Sequence, residues 1–168
     1  MANLVLGNLA TLLIQKDARC AVAESCTGGL VSAAMTTYPG SSQWFDCGLV
    51  TYSNAAKQQF LGVHSDILAQ YGAVSQETVT AMAEGILQRT QVQFSLAVSG
   101  IAGPGGGNLE KPVGTIWFAW ASQDQPPHTQ IHHLSGTRTK IRKTCVSIAI
   151  EGLLNYVGWA VRPNNQST

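Results

Sequence analysis

The sequence has few charged residues. Asp, Glu, Lys and Arg make up 11% of the chain, whereas a typical soluble protein has about 25%. Ten Lys and Arg residues against nine Asp and Glu give a net charge of +1, and the densest basic run is only Arg138, Lys140, Arg142 and Lys143. Binding to nucleic acid requires a concentrated positive surface, so this composition argues against that function.

The scarcity of charge leaves much of the surface to apolar and uncharged polar residues, because 45% of the chain is hydrophobic. A partly apolar exterior is typical of proteins that associate with copies of themselves. We therefore predict a homo-oligomer.

No hydrophobic run is long enough to cross a bilayer, which takes about 20 apolar residues. The apolar stretch at residues 4–14 is too short, and it lacks the basic region that begins a secretory signal. We interpret it as the amphipathic first helix of a cytoplasmic protein that has no membrane partner.

The four cysteines and four histidines show neither a disulfide pattern nor a metal-binding pattern. There is no C-x-x-C spacing, and no histidine lies at ligand distance after a cysteine or with a third ligand. We predict no zinc site and no disulfide framework, and we expect no metal or organic cofactor. Cys26 alone lies beside candidate chemistry, and a buried, inert thiol is its expected role.

The length of 168 residues fits one domain, which we place at residues 1–160 with a polar tail at 161–168. Apolar periodicity and turn residues predict the strands and helices. The predicted strands are 20–23, 49–52, 94–99, 113–121 and 129–134, and the predicted helices are 4–17, 28–37, 55–61, 75–90 and 137–157. Asn54 is the predicted N-cap of the third helix and Gly62 its predicted end.

Strands that alternate with helices and finish in a hairpin predict an α/β fold. The expected architecture is a three-layer α/β/α sandwich around a mixed, mostly parallel sheet with a late antiparallel hairpin. Ligands of open α/β sheets bind beyond the carboxyl ends of the strands. Three loops qualify, at residues 24–29, 52–57 and 99–107, and we expect the chemistry there.

The first loop places Ser25, Thr27, Gly28 and Gly29 at the start of a predicted helix. Unpaired amides and the helix dipole favour a phosphate or a developing oxyanion at such a place. The alternative is structural: Ser25 or Thr27 is then only an N-cap, and the glycines only permit a tight turn.

The second loop puts Lys57 one helical turn beyond a strand end, so its amine can reach back to the edge of the sheet. A desolvated lysine can lose its proton and act as general base for a serine. Lys57 is otherwise a solvated helix lysine. Tyr52 orients that amine or shuttles a proton, or it packs as a half-buried tyrosine.

The third loop is rich in glycine and begins at Ser99, with Gly100, Gly103 and Gly105 as candidate contacts for a ligand. It lacks the Gly-Lys-Ser/Thr of a P-loop and a regular G-x-G-x-x-G, which argues against ATP or a dinucleotide.

Two arginines at the start of the last predicted helix are further candidates. Arg138 can clamp a phosphate or carboxylate through two parallel hydrogen bonds, and Arg142 lies one turn further along the same helix face. Either one is alternatively a surface cation.

Together these segments resemble the CinA C-terminal family over residues 4–158. The resemblance rests on six motifs in the family's order, at residues 23–29 (AESCTGG), 40–45, 50–57 (VTYSNxxK), 72–75 (GAVS), 99–104 (SGIAGP) and 111–115 (KPVGT).

This resemblance implies a nicotinamide mononucleotide deamidase that acts in pyridine nucleotide recycling and releases nicotinic acid mononucleotide and ammonia. The family's proposed serine corresponds to Ser25, its lysine to Lys57, its tyrosine to Tyr52, an assisting serine to Ser42 and an essential arginine to Arg138. Longer members carry a further N-terminal domain.

The implied mechanism has Lys57 take the proton of Ser25 as its oxygen attacks the carboxamide, with helix-mouth amides receiving the oxyanion. Either Arg138 with the glycine loop or the mouth at residues 27–29 then binds the 5′-phosphate. Two other functions stay open at this point: a catalytically silent nucleotide-binding or protein-interaction module, and a hydrolase of another small amide.

Overall fold

The computed structural model describes residues 2–160, and their side chains from residue 4 onward. The helices are α1 (Ala2–Gln15), α2 (Leu30–Met35), α3 (Asn54–Leu61), α4 (Ser65–Tyr71), α5 (Gln76–Thr90) and α6 (Arg138–Trp159), and the strands are β1 (Cys20–Glu24), β2 (Phe45–Val50), β3 (Phe94–Gly100), β4 (Thr115–Ser122) and β5 (His128–His133). A short 3₁₀ turn at Ser41–Gln43 precedes β2. The predicted tail at 161–168 lies outside the described residues.

The five strands form one sheet in the order β2-β1-β3-β4-β5. β1 runs parallel to β2 and β3, β4 is antiparallel to β3, and β5 is antiparallel to β4. Four of the five strands therefore point the same way, and the β4–β5 hairpin closes one side. This confirms the mixed, mostly parallel sheet that the sequence predicts.

The two faces of the sheet carry side chains of different size, because successive residues of a strand point to opposite faces. Val22, Leu96 and Phe118 lie in the core that α1, α2 and α6 cover. Ala23 and Ala119 lie in the core that α5 covers. Small side chains on that second face let α5 pack close to the strands, and the result is the expected three-layer α/β/α sandwich.

Several boundaries differ from the predicted ones for local reasons. β2 begins at Phe45 and ends at Val50, so the chain has already left the sheet at Tyr52. α2 is shorter than predicted because Gly28 and Gly29 have φ values of 59° and 96°, which form a turn and not a helix. The predicted fourth strand 113–121 begins only at Thr115.

The helix around Lys57 is capped by a different residue from the one predicted. The side chain of Ser53, and not that of Asn54, accepts a hydrogen bond from the amide of Ala56 at 3.0 Å. Gly62 ends the helix as expected, with φ 71°. The helix α4 is not among the predicted helices, and its seven residues bury only Leu68.

The first helix is amphipathic, as the sequence predicts. Leu6, Leu9 and Leu13 are buried in the core, whereas Leu4 is 70% exposed. Within residues 2–160, none of the helices has the length and apolar character needed to cross a membrane.

Candidate active site

The carboxyl ends of β1, β2 and β3 meet at one edge of the sheet. Three polar residues, Glu24, Ser25 and Thr51, lie there. Glu24, the last residue of β1, is in register with Val50 of β2 and with Val98 of β3. The amide of Ser25, the residue after β1, donates to the Val98 carbonyl at 3.0 Å. The amide of Thr51 donates to the Glu24 carbonyl at 2.8 Å. Ser25 is therefore held by backbone pairing at the centre of this edge.

Lys57 meets Ser25 in the interior of the protein. The Nζ atom of Lys57 donates to the Ser25 Oγ at 3.1 Å and to the Thr51 carbonyl at 2.9 Å. The side chain lies on the first turn of α3, which follows β2 closely, and only 1% of it is exposed. Its alternative interpretation as a solvated surface lysine is therefore wrong.

Burial lowers the pKa of the Lys57 amine below its usual value, and a smaller opposing effect of the Cys26 thiol raises it. In the part of the chain that the structure describes, no carboxylate forms a salt bridge with Lys57. Desolvation disfavours the charged form of an amine that has no ionic partner. A neutral Lys57 can accept the proton of Ser25, which is the arrangement that a Ser–Lys nucleophile requires.

Glu24 holds the loop that contains Ser25, residues 24–29, from inside the protein. We call this segment the nucleophile loop, and this role of Glu24 is not predicted from the sequence. Its carboxylate is fully buried and accepts hydrogen bonds from the amides of Gly29, Val31 and Ser32 and from the Ser32 hydroxyl, at 2.6–3.1 Å. A buried carboxylate must find such donors, and a helix N-terminus supplies them. The available signal was an acidic residue at the end of a buried strand, a few residues before a helix.

This contact decides what the N-terminus of α2 can bind. Because Glu24 already occupies the amides of Gly29, Val31 and Ser32, these groups are not free to bind a phosphate or an oxyanion. The N-cap of α2 is Gly29, which makes no side-chain cap hydrogen bond, so neither Ser25 nor Thr27 is a helix cap.

Two backbone amides of the loop remain free. The amide of Gly28 donates to the Ser25 carbonyl at 3.1 Å. Among the hydrogen bonds of the described residues, the amides of Cys26 and Thr27 donate to no other residue. The Thr27 Oγ1 is buried and also has no hydrogen-bond partner. The Cys26 and Thr27 amides, which directly follow Ser25 in the chain, are therefore the amides of this loop that have no acceptor among the described residues.

The two arginines of α6 reach different loops. Arg138 donates to the Gly103 carbonyl at 2.8 Å and to the Tyr52 hydroxyl at 3.0 Å. Arg142 donates to the carbonyls of Cys26 and Thr27 at 3.1 and 2.8 Å. Arg138 thus joins two of the three predicted loops, whereas the guanidinium of Arg142 is engaged with the nucleophile loop itself.

The remaining candidates are dispersed or already engaged. The Ser99 hydroxyl is buried and donates to the Ala73 carbonyl at 2.6 Å. A Cβ at Gly100 would lie 2.3 Å from Ile116, so this glycine permits close strand pairing. Gly105 is exposed and borders open space. Ser42 lies in the 3₁₀ turn before β2, at the opposite end of the sheet, where its carbonyl accepts a hydrogen bond from Arg19.

A metal site or another groove in the described residues is the alternative place for chemistry. In residues 2–160, no three His, Cys, Asp or Glu side chains cluster as a metal site would require. A groove of about 610 Å³ between β5 and the second half of α6 is lined by His128, His132 and Glu151 among others. It lies far along α6 from Arg138, and its lining contains no serine or cysteine.

Comparison with known proteins identifies the family. The CinA C-terminal domain model matches residues 4–157. The chain belongs to this family. It is also 49% identical over 132 residues to the nicotinamide-nucleotide amidohydrolase PncC of Enterobacter agglomerans, which covers 79% of this chain and 80% of that protein. PncC of Escherichia coli is 46% identical over 138 residues, or 82% of this chain and 84% of that protein.

Longer relatives and solved structures agree with this family. A CinA-like protein of Akkermansia muciniphila is 48% identical over 143 residues, and the match spans 85% of this chain but only 34% of that protein. A CinA superfamily protein from Klebsiella pneumoniae superposes with a TM-score of 0.89 at 34% identity, covering 95% of this chain and 99% of the other. A competence/damage-inducible protein from Agrobacterium tumefaciens gives 0.83 at 41% identity, covering 90% and 96%.

Replacing the buried carboxylate tests its structural role. In Glu24→Gln, one carboxylate oxygen becomes an NH2 group that faces N–H donors and cannot accept from them, so we expect the free energy of unfolding to fall by about 2–4 kcal/mol. Urea denaturation measures the change. The control is Glu84→Gln, which removes an exposed carboxylate from α5. An equal and small effect of both substitutions would contradict this role of Glu24.

The lowered pKa of Lys57 predicts a pH dependence of stability. The unfolded chain binds a proton at Lys57 up to about pH 10.4, whereas the folded chain loses it at lower pH, so unfolding becomes harder as pH rises between the two pKa values. The stability of the wild type minus that of Lys57→Met should therefore increase from neutral pH towards pH 10. Chemical denaturation at several pH values measures it, and a flat or falling difference would show that Lys57 is not desolvated.

Proposed function

We propose that the protein is a nicotinamide mononucleotide amidohydrolase that releases nicotinic acid mononucleotide and ammonia. The observation that carries this proposal is the buried hydrogen bond between Lys57 Nζ and Ser25 Oγ. The PncC relatives are 46–49% identical over about four fifths of both chains, which supports the substrate. The geometry supports the class of reaction, since a serine beside a desolvated amine is suited to acyl transfer.

In the proposed acylation step, neutral Lys57 takes the proton of the Ser25 hydroxyl while the Oγ attacks the carboxamide carbon. The carbonyl oxygen becomes an oxyanion, which the free amides of Cys26 and Thr27 stabilise. When the tetrahedral intermediate collapses, the C–N bond breaks, and Lys57 returns the proton to the leaving nitrogen so that ammonia departs. Ser25 is left as an ester of the nicotinate group.

The second step reverses the proton transfers. Lys57, neutral again, takes a proton from a water molecule that attacks the ester carbon, and then gives it to the Ser25 Oγ as the C–O bond breaks. The products are the carboxylic acid, which loses its remaining proton to solvent or ammonia, and the regenerated serine. Lys57 carries the one proton that is transferred in each step.

Arg138 is the residue that we assign to the 5′-phosphate of the substrate. A guanidinium has five N–H donors, and in Arg138 two of its nitrogens bind Gly103 and Tyr52. This link sets the position of the cation between the glycine loop and the start of α3. The mouth at residues 27–29 is a poorer phosphate site, because the buried Glu24 carboxylate occupies its amides and would repel a phosphate.

We also propose that the protein is a cytoplasmic homo-oligomer. Large apolar side chains are exposed on several elements, including Leu4, Phe60, Ile131 and Trp159, and exposed apolar surface is where proteins associate. The four cysteines in the described residues are free, as is usual in a reducing compartment. Light scattering should give a multiple of the 17.8 kDa chain mass, and fractionation should find the protein in the cytosol. A monomeric mass would contradict the oligomer.

Ammonia release from nicotinamide mononucleotide tests the activity. The wild type should release ammonia, with or without a chelator, and Ser25→Ala and Lys57→Met should each lower kcat at least about 10³-fold. Lys140→Met, which removes an exposed cation from α6, is the matched control and should leave the rate unchanged. If folded wild type binds the mononucleotide but releases no ammonia, the protein is a silent binding module. If it hydrolyses only other amides, the substrate assignment is wrong.

A further inference from the structure

The nucleophile loop is gripped from two sides of the sheet. Lys57 approaches Ser25 from α3, which packs on the face of the sheet that α5 covers. Arg142 approaches from α6 on the other face, and its half-buried guanidinium donates to the Cys26 carbonyl at 3.1 Å and to the Thr27 carbonyl at 2.8 Å. The carbonyls of this loop are thus directed towards α6.

Peptide geometry determines where the amides of the loop then point. In a planar trans peptide the C=O and N–H bonds point in opposite directions. The Cys26 carbonyl and the Thr27 amide belong to the same peptide unit, so the contact with Arg142 directs that amide away from the guanidinium. The Cys26 amide shares its unit with the Ser25 carbonyl, which the Gly28 amide holds at 3.1 Å.

We propose that Arg142 is a positioning residue for the reaction: by holding the Cys26 carbonyl, it orients and polarises the Thr27 amide that receives the oxyanion. A cationic donor on a carbonyl draws electron density from the peptide unit, which makes the N–H of that unit a stronger donor. Arg142 itself does not contact the substrate in this account. The inference rests on the proposed function and adds to it the control of one oxyanion donor from α6.

Other contacts show that this arrangement is built into the loop. A Cβ at Gly28 would lie 3.2 Å from the Arg142 guanidinium, and Gly28 has φ 59°, so glycine permits the close approach. The buried side chain of Cys26 belongs to the same core cluster as that of Cys145, which lies one turn beyond Arg142 on α6. On the far side of the loop, Glu24 fixes Gly29. The Thr27 peptide unit thus lies between two anchors.

The size of the expected effect follows from the donor that is disturbed. Removing one oxyanion donor lowers kcat about 10²–10³-fold. Arg142 acts on one of two donors and acts indirectly, so we expect kcat to fall about 10- to 100-fold in Arg142→Ala while KM changes by less than about threefold. A residue that bound the ground-state substrate would instead raise KM.

The experiment compares Arg142→Ala and Arg142→Lys with the control Lys143→Ala, an exposed cation on the next residue of α6. It measures kcat and KM for nicotinamide mononucleotide, urea unfolding, and the rate at which a fluorophosphonate labels Ser25. We expect lower kcat and slower labelling in Arg142→Ala, partial recovery in Arg142→Lys, and partial recovery of Arg142→Ala in millimolar guanidinium. The control should match the wild type.

Two results would overturn the proposal in an active enzyme: a raised KM with unchanged kcat, or a loss of kcat no larger than the unfolded fraction with no recovery by guanidinium. If the wild type does not hydrolyse the mononucleotide, the proposed function fails separately. Fluorophosphonate labelling then still tests Arg142, because the label requires the Ser25 nucleophile and places a phosphoryl oxygen beside the same amides. Equal labelling of the wild type and Arg142→Ala would overturn the inference.

Discussion

The hydrogen bond between Lys57 Nζ and Ser25 Oγ links the segments that follow two neighbouring strands, β2 and β1. Both side chains are buried. An isolated ammonium is costly to bury, and here its protein contacts are the Thr51 carbonyl and the serine itself. Backbone pairing of β1 with β2 and β3 keeps Ser25 and Thr51 in position. The sheet therefore imposes the desolvation that favours the neutral form of Lys57, which the proposed role as a base requires.

Two charged side chains, Glu24 and Arg142, hold the nucleophile loop in place. A loop that must leave two amides free for an oxyanion cannot rely on those amides for its own stability. Glu24 satisfies the first turn of α2 with its carboxylate, and Arg142 satisfies two carbonyls of the loop. These contacts come from opposite sides of the loop. The loop is thereby fixed without using the donors that the proposed chemistry needs.

The sequence predicts the parts of this site that depend on periodicity and chain order. Buried strands followed by helices predict the sheet, and the rule that ligands bind at carboxyl ends makes Ser25 and Lys57 candidates. The family resemblance is what favours their catalytic roles over the structural alternatives. The partners of Arg142 lie 115 and 116 residues away in the chain, so no local pattern reveals them. Ser42 and Ser99 matched motifs, but the fold places the first at the opposite end of the sheet and uses the hydroxyl of the second to hold Ala73.

The protonation of Lys57 tests the account most directly. An NMR titration of the protein with ¹³C-labelled lysine, assigned with Lys57→Met, would follow the Cε resonance of this one side chain. We expect Lys57 to titrate below the usual lysine pKa of about 10.4, and its pKa to shift again in Ser25→Ala, which removes the hydroxyl beside the amine. A Lys57 resonance that titrates with the other lysines, unaffected by the loss of Ser25, would contradict it.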